Sequence, residues 1–585
     1  MKKVLLALSL VVMVGLQALM AQTTNITGTV TDAGDGFPIP GVSVFVKGTT
    51  VGTVTRPDGT YTLAVPNDAA TLVFSFVGMT TQEVAIEGKA TINVSMKSDA
   101  VDVDEVVVVA YGTSKKSSFT GSAATVKGEE ILKSSATSFE SALQGNAAGV
   151  QVINTSGQPG SAATVRIRGI GSINGVASPL YVIDGVAVNS ENYSAVADAD
   201  NYGTSSSPLS TLNPADIENI SVLKDASASA LYGSRAANGV ILITTKQGRA
   251  GKTQVNFSSK IGYSDMAVKQ HEIMNAGQYY KSFFDYYYDT NGGDHEAANA
   301  STIGDFSTEG ATINPYNTDN PYGANGQLAP GAELLYDTDW RDQVYRVAKS
   351  QEYNISANGG NEKTKFYMSA GYLDQEGIAI GSDFERISTK LNVTNDVTDF
   401  FKVGMNNTIS VTEQNTPPGA GGGASPVRFA DYVSSVYPVY VWDEGTRTDE
   451  YNYENGVQLD FNPVPLRDLD KYETKTFRVL STGFGELKFL NDFTLRSQVS
   501  YDRTNLKENR FYNPEHGNGS SVNGRGDRID ISEVTQAITN TLNWNRTFND
   551  NHTFGFLLGQ EASKSRYEFL NAEATDFVFP GTDEL

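Results

Sequence analysis

From Arg386 onward the chain repeats one pattern: about ten residues that alternate apolar and polar, then a break. In 386–394, Ile387, Thr389, Leu391 and Val393 fall on one face, and Arg386, Ser388, Lys390 and Asn392 on the other. In 402–412, Val403, Met405, Ile409 and Val411 oppose Lys402, Asn406, Thr408 and Ser410. In 493–501, Phe493, Leu495, Val499 and Tyr501 oppose Thr494, Arg496, Gln498 and Ser500. A period of two belongs to strands with one apolar and one polar face. Soluble sandwiches and transmembrane barrels both use such strands, and the connections separate the two. Those near 359–363, 395–399, 491–492 and 548–552 are short and polar, whereas 265–348, 375–383, 413–472 and 506–528 are longer and fall between them. Strict alternation of tight and large connections is the layout of a barrel with turns at one rim and loops at the other. About nine strands are expected between 251 and 585.

No later stretch approaches the ~20 apolar residues of a transmembrane helix, so entry into a membrane would be by strands. Lys2 and Lys3 precede an apolar run, 4–19, closed by Ala21. That is a secretory signal peptide, with cleavage expected after Ala21. There is no cysteine, which excludes disulfides, thiol nucleophiles and zinc–thiolate sites. With 44 Lys+Arg against 67 Asp+Glu, the net charge of −23 argues against nucleic acid as a partner. The four histidines, 271, 295, 516 and 552, fall in expected loops and a turn without metal-ligand spacing, and read as surface residues. No metal, no cofactor and no catalytic residues are expected, because no paired-carboxylate or Ser/His constellation stands out.

Between 26 and 96, strands 26–31, 42–47, 60–65, 71–76 and 91–96 are separated by turn residues such as Asp35-Gly36, Pro40-Gly41 and Pro57-Asp58-Gly59. They make a small β-sandwich. Gly28-Thr-Val-Thr-Asp32, Pro40-Gly-Val-Ser-Val44 and Asp58-Gly-Thr-Tyr61 resemble the carboxypeptidase regulatory-like domain. The resemblance implies an interaction module without chemistry of its own.

Next comes Asp102-Val-Asp-Glu-Val-Val-Val-Val-Ala-Tyr-Gly-Thr-Ser-Lys-Lys116, whose consecutive valines favour an extended backbone. It reads either as the edge strand of a neighbouring domain or as a strand offered to another protein's sheet. From 117 to about 248 the pattern is mixed α/β. It comprises a helix over 128–144, a strand 165–168 bearing Arg166 and Arg168 before Gly169, and a strand 179–183 ending in the turn Asp184-Gly185. Asn213 reads as an N-cap with Pro214 at the first position of a helix over 215–219. Strand 220–223, a small-residue stretch 226–237 and strand 239–245 complete the region. Arg166 and Arg168 are expected to share one strand face and pair with acids on a barrel wall.

Asp104, Glu105, Val106, Val107, Val108, Val109, Ala110 and Tyr111 resemble the TonB box of the SusC/RagA family of outer-membrane transporters. Arg168-Gly169-Ile-Gly-Ser172, Tyr181-Val-Ile-Asp184-Gly185 and Leu212-Asn213-Pro214-Ala-Asp-Ile-Glu-Asn219 resemble that family's plug. So does 222–239, which contains Lys224, Asp225, Tyr232, Gly233 and Arg235. The resemblance implies a β-rich multidomain chain: signal peptide 1–21, carboxypeptidase regulatory-like β-sandwich 22–100, TonB box and linker 101–116, α/β plug 117–250, and the first strands of a large antiparallel transmembrane β-barrel 251–585. It implies a TonB-dependent importer of a bulky nutrient, a glycan or peptide fragment, in a Gram-negative outer membrane. TonB, a SusD-like surface lipoprotein and outer-membrane lipid are the expected partners. A non-transporting receptor or adhesin, and a chain inactive alone, are the alternatives.

Nine strands would leave two open edges, which hydrocarbon does not tolerate. A plug of this size, with a radius of gyration near ~14 Å, does not fit a barrel of eight to ten strands but does fit one of about 22. The resemblance implies a full-length chain near twice this size, so a truncated gene product or a fragment is expected. Four weaker signals read as chance or loop chemistry: Arg525-Gly526-Asp527 in an external loop, 419–423, the terminal 582–585, and the acidic patches Asp337–Asp339 and Asp443-Glu444.

Overall fold

The computed structural model describes residues 23–577, apart from 34–35, 68, 77–78, 98–105, 110–111, 116–121, 134–137, 155, 172–177, 190–206, 226–228, 269–270, 309–310, 418–422, 455–460 and 549–551. The expected signal peptide, 419–422 and 582–585 lie outside the described residues. The chain divides into two compact units, one holding residues up to Val106 with Lys115–Ser118, the other holding the rest.

The first unit is a β-sandwich. Strands β1 (Thr23–Asp32), β2 (Ser43–Val46), β3 (Gly52–Val54), β4 (Thr60–Pro66), β5 (Thr71–Ser75), β6 (Gln82–Ala85) and β7 (Val94–Met96) form two sheets, β4-β1-β7 and β3-β2-β5-β6. Alternate residues Ile26, Val30, Val44, Leu63, Val65, Leu72, Phe74 and Met96 fill the core between them. The five expected strands are present, the last shortened to Val94–Met96, and β3 and β6 are additional to them. Gly28 is needed because a Cβ there would lie 1.8 Å from the Ile92 carbonyl oxygen. The Tyr61 hydroxyl donates to that same oxygen at 2.9 Å.

Two short strands, β8 (Val106–Val109) and β9 (Gly112–Lys115), follow as a two-stranded sheet. A five-stranded sheet follows, in the order β10-β15-β16-β13-β14, from β10 (Ala123–Lys127), β13 (Leu180–Ile183), β14 (Val186–Val188), β15 (Ile217–Leu223) and β16 (Val240–Thr245). A separate hairpin pairs β11 (Val150–Asn154) with β12 (Ala163–Ile167). The expected helix over 128–144 is instead two short helices, α1 (Gly128–Lys133) and α2 (Phe139–Ala142). Ser138 starts the second by capping the Ser141 amide, which explains why the apolar positions on either side did not belong to one helix. The expected helix over 215–219 is a 3-10 turn, Pro214–Asp216, capped by Asn213, after which β15 begins at Ile217. Val126, Ile131, Phe139, Leu143, Tyr181, Ile183, Ile220 and Ile243 form the core.

The remaining residues build one antiparallel sheet of nine strands: β17 (Gly251–Ser264), β18 (Ala348–Gly360), β19 (Thr364–Glu376), β20 (Asp383–Thr398), β21 (Phe401–Asn415), β24 (Lys471–Phe489), β25 (Phe493–Tyr512), β26 (Arg525–Phe548) and β27 (His552–Thr575). Each pairs with the next in sequence order except for the excursion after β21, which forms its own hairpin of β22 (Tyr440–Asp443) and β23 (Thr446–Tyr451). The alternation predicted from sequence holds, with the apolar face outward and the polar face inward. Ile387, Met405, Ile409, Val411, Leu495 and Val499 are exposed, while Arg386, Ser388, Lys390, Asn392, Ser410 and Ser500 are buried. An apolar exterior around a polar interior is the arrangement of a wall facing hydrocarbon. Aromatic rings gather at the short-turn rim, with Phe489 against Phe493 at 5.3 Å and Phe548 against Phe554 at 5.8 Å. Among the described residues no helix is long and apolar enough to cross a membrane.

At the other rim the long connections fold rather than trail. Helices α3 (Ala276–Thr290), α4 (His295–Phe306), α5 (Trp340–Val344), α6 (Pro426–Tyr432) and α7 (Pro463–Leu469) share a core of Tyr280, Phe284, Phe306, Tyr316, Trp340 and Phe429. Acids expected to be bare loop charge are used locally: Asp339 caps α5, and Asp337 accepts from the Ala276 amide. Arg525 and Asp527 pair with each other within β26, not in a loop as expected. His516 is buried rather than superficial, stacked on Tyr453 at 4.1 Å; that burial holds its imidazole down at about 4.

Candidate functional site

The α/β region touches the wall along most of its width. Residues 207–216 are the most tightly held. Ser207 caps a 3-10 turn, Pro208–Thr211, whose backbone oxygens point outward to wall arginines. Arg478 Nη1 donates to the Pro208 carbonyl at 3.2 Å. Arg386 Nη1 donates to the Ser210 and Leu212 carbonyls at 3.1 and 3.2 Å. Asp502 orients Arg478 through two bonds of 3.0 and 2.8 Å. Asn213 caps the Ala215 amide with its oxygen and donates to Asn354 on β18 at 2.8 Å with its nitrogen. Pro214 occupies the first turn position, where its missing N–H costs nothing. Asp216 accepts from Tyr367 and Ser369 on β19, at 2.9 and 2.6 Å.

A second attachment is the turn Asp184-Gly185, where both residues have positive φ, 48° and 83°. That geometry favours Asp/Asn followed by Gly and closes a tight hairpin between β13 and β14. The Asp184 carboxylate accepts from the Thr245 amide and hydroxyl, at 2.9 and 2.6 Å, and from Asn406 on β21 at 2.5 Å. Lys390 lies 3.6 Å away and donates to Asn406 at 2.7 Å. Farther round, Asn189 donates to Glu533 on β26 and Arg235 pairs with Glu561 on β27, at 2.8 and 2.9 Å. At the loop rim, Gln158 reaches Thr416 at 2.6 Å and Gln414 donates to the Pro159 carbonyl at 2.8 Å. A body bonded to β18, β19, β20, β21, β24, β26 and β27 obliges the sheet to curve around it. Between them remains a cavity of about 470 Å³, lined by Asp184, Asn392, Asn406, Glu486, Arg496 and Thr541 among others.

The expectation that Arg166 and Arg168 pair with wall acids is overturned: the plug arginine that meets a wall acid is Arg235, on Glu561. Arginines of the wall hold carbonyls of the inner body. Arg166 is half-buried in β12 opposite Gln151. Arg168 lies past the end of β12 at φ 57°, so the two do not share a strand face, and it pairs with Asp225 of the inner body itself. Gly169 follows at φ 96°. The Ser122 amide and then the Arg168 guanidinium hold the Asp225 carboxyl below its ordinary value. Lys224 Nζ donates to the Ala148 carbonyl. Tyr232 is buried beside Val182 and Leu242, and Gly233 breaks the 3-10 stretch 230–236 at φ 66°, ψ −151°. Of the box, Val106–Val109 form β8; Asp104, Glu105, Ala110 and Tyr111 lie outside the described residues. Sequence reasoning did not find Arg386, Arg478, Asp216 or Glu140. Glu140 is enclosed between α2 and Ser207, and burial pushes its carboxyl up to about 7.

An α/β plug held inside a curved antiparallel wall, apolar outside and polar within, defines a plugged membrane β-barrel protein. Residues 115–240 match the TonB-dependent receptor plug domain, and 26–108 match the CarboxypepD_reg-like domain. TonB-dependent receptor P39 of Formosa agariphila is 30% identical over 95% of this chain and 47% of its own length. TonB-dependent receptor SusC of Bacteroides thetaiotaomicron is 34% identical over 79% of this chain and 40% of its own. The solved RagAB peptide importer in its 'open-open' state superposes with a TM-score of 0.64 at 26% identity, over 81% of this chain and 50% of that one. The chain belongs to the SusC/RagA family of TonB-dependent receptors. It spans about half the length of the curated relatives it matches.

Proposed function

We propose that this chain forms the N-terminal part of an outer-membrane importer in a Gram-negative bacterium, carrying a bulky glycan or peptide fragment inward. The observation that carries the reading is the plug, bonded to seven of the nine wall strands and preceded by an extended valine segment. No bulky solute passes such a wall unless part of the plug moves, and the wall bonds at 207–216 hold one side of it in place. In this reading 104–111 is the TonB box, adding as a strand to TonB, and 101–116, 117–250 and 251–585 are linker, plug and barrel wall. Residues 1–21 would be the signal peptide, and 22–100 the periplasmic interaction module. Further strands would pair the free edges of β17 and β27, because open edges are not tolerated in lipid. A SusD-like lipoprotein would cover the loop rim. The work is mechanical and breaks no bond of the cargo.

Val107→Pro and Val108→Pro in the intact receptor test this, since proline removes a ladder donor. Uptake should be lost while surface binding of cargo is retained. Unimpaired uptake in both variants would remove the box assignment.

A further inference from the structure

The chain passes from the valine segment into the plug at Ser122, and that point is fastened in a way the transport reading does not use. The Ser122 amide donates to Asp225 Oδ2 at 2.9 Å, and its carbonyl accepts from the Lys224 amide at 3.2 Å. Asp225 also receives the Arg168 guanidinium, while Lys224 Nζ bonds the Ala148 carbonyl. The start of β10, the turn before β11 and the end of β12 therefore meet on two successive residues after β15. Arg168 reaches this position only by adopting φ 57°, with its amide held on the Gly149 carbonyl at 3.0 Å. A non-glycine residue at positive φ carries a conformational cost and needs a surrounding that imposes it. β10 itself lies at the edge of the five-stranded sheet, with β15 as its partner from Ala123↔Leu223 to Lys127↔Asn219.

We propose that the Asp225–Arg168 pair is a clamp on Ser122 that sets the pull at which the plug starts to open. This rests on reading the valine segment as the place where force is applied. Two physical points single the pair out. Its side chains are 31% and 52% exposed, and ion pairs in water add little to equilibrium stability. Among the described residues that follow the linker strands, Ser122 is the first, so load applied to the linker meets its bonds before the buried wall contacts at 207–216. A contact that is weak in equilibrium and first in the line of force acts as a threshold rather than as a foundation. Asp225 and Arg168 are thus positioning residues that act through Ser122.

The test is single-molecule pulling on the intact receptor in a lipid bilayer, with a handle on Thr113→Cys. In Asp225→Ala and Asp225→Asn the force of the first rupture should fall at least twofold, with later ruptures and the thermal midpoint unchanged. Asp225→Glu should recover part of the loss. An unchanged first rupture overturns the clamp, and so does a fall matched by an equal loss of thermal stability, which marks a purely structural pair. The measurement needs neither TonB nor cargo. Failure of the import reading would show separately, as wild-type receptor that takes nothing up.

Discussion

Replacing Arg478 with methionine asks whether buried charge ties plug to wall. Arg478 and Asp502 are 5% and 7% exposed and joined by two bonds of 3.0 and 2.8 Å, with a third from Arg478 to the Pro208 carbonyl at 3.2 Å. Methionine roughly fills the space but leaves the Asp502 carboxylate buried without its cation, which costs about 3–5 kcal/mol. The lost charged bond to Pro208 adds about 1.5 kcal/mol. In the double variant Arg478→Met with Asp502→Asn no buried charge is stranded, and the total should drop to about 1–2 kcal/mol. The double change is thus expected to be milder than the single one, the reverse of additive damage. Thermal unfolding of the purified intact receptor gives the order, and protease protection of 207–216 reports whether the plug has come away from the wall. A single variant costing under about 1 kcal/mol, or a double variant as damaged as the single, would refute the reasoning.

Glu140 has an ordinary value of 4.5, raised by burial to about 7. The plug's stability from this group is complete below 4.5 and is lost as pH rises through about 7, amounting to ~3 kcal/mol at ~1.4 kcal/mol per pH unit. Glu140→Gln should therefore raise plug stability at pH 8 and change it little at pH 4.5, measured by denaturant unfolding at both pH values; equal effects at both would contradict a buried ionisable role. Gly28→Val puts a side chain where the Ile92 carbonyl already sits. It should cost ~3 kcal/mol or more through overpacking, seen as proteolysis of the N-terminal sandwich in a receptor whose barrel still melts normally.

What could be read from residues alone was whatever is local. The period of two at 386–394, 402–412 and 493–501 gave strands, because alternate side chains leave a strand on opposite faces whatever surrounds it. The parity of short and long connections gave the meander, since turn length depends on which rim the chain has reached. Asn213-Pro214 and Asp184-Gly185 were legible for the same reason: capping and positive φ are properties of two or three adjacent residues. The division of 128–144 into two helices was missed because Ser138 competes for the backbone only once its side chain caps the following turn.

The sequence by itself determined the wall strands and the polarity of their faces. Tertiary structure decided which polar residues matter. Arg386 and Arg478 are indistinguishable in sequence from any inward position of a barrel strand, and they acquire a role only because the Pro208, Ser210 and Leu212 carbonyls face them. Arg168 looked like a strand residue aimed at the wall, but a positive φ one step past the strand turned it onto Asp225. Such pairings join residues 57 to 270 positions apart, and no local pattern encodes them. They are fixed when the plug and the wall close on each other and each buried polar group must find a partner.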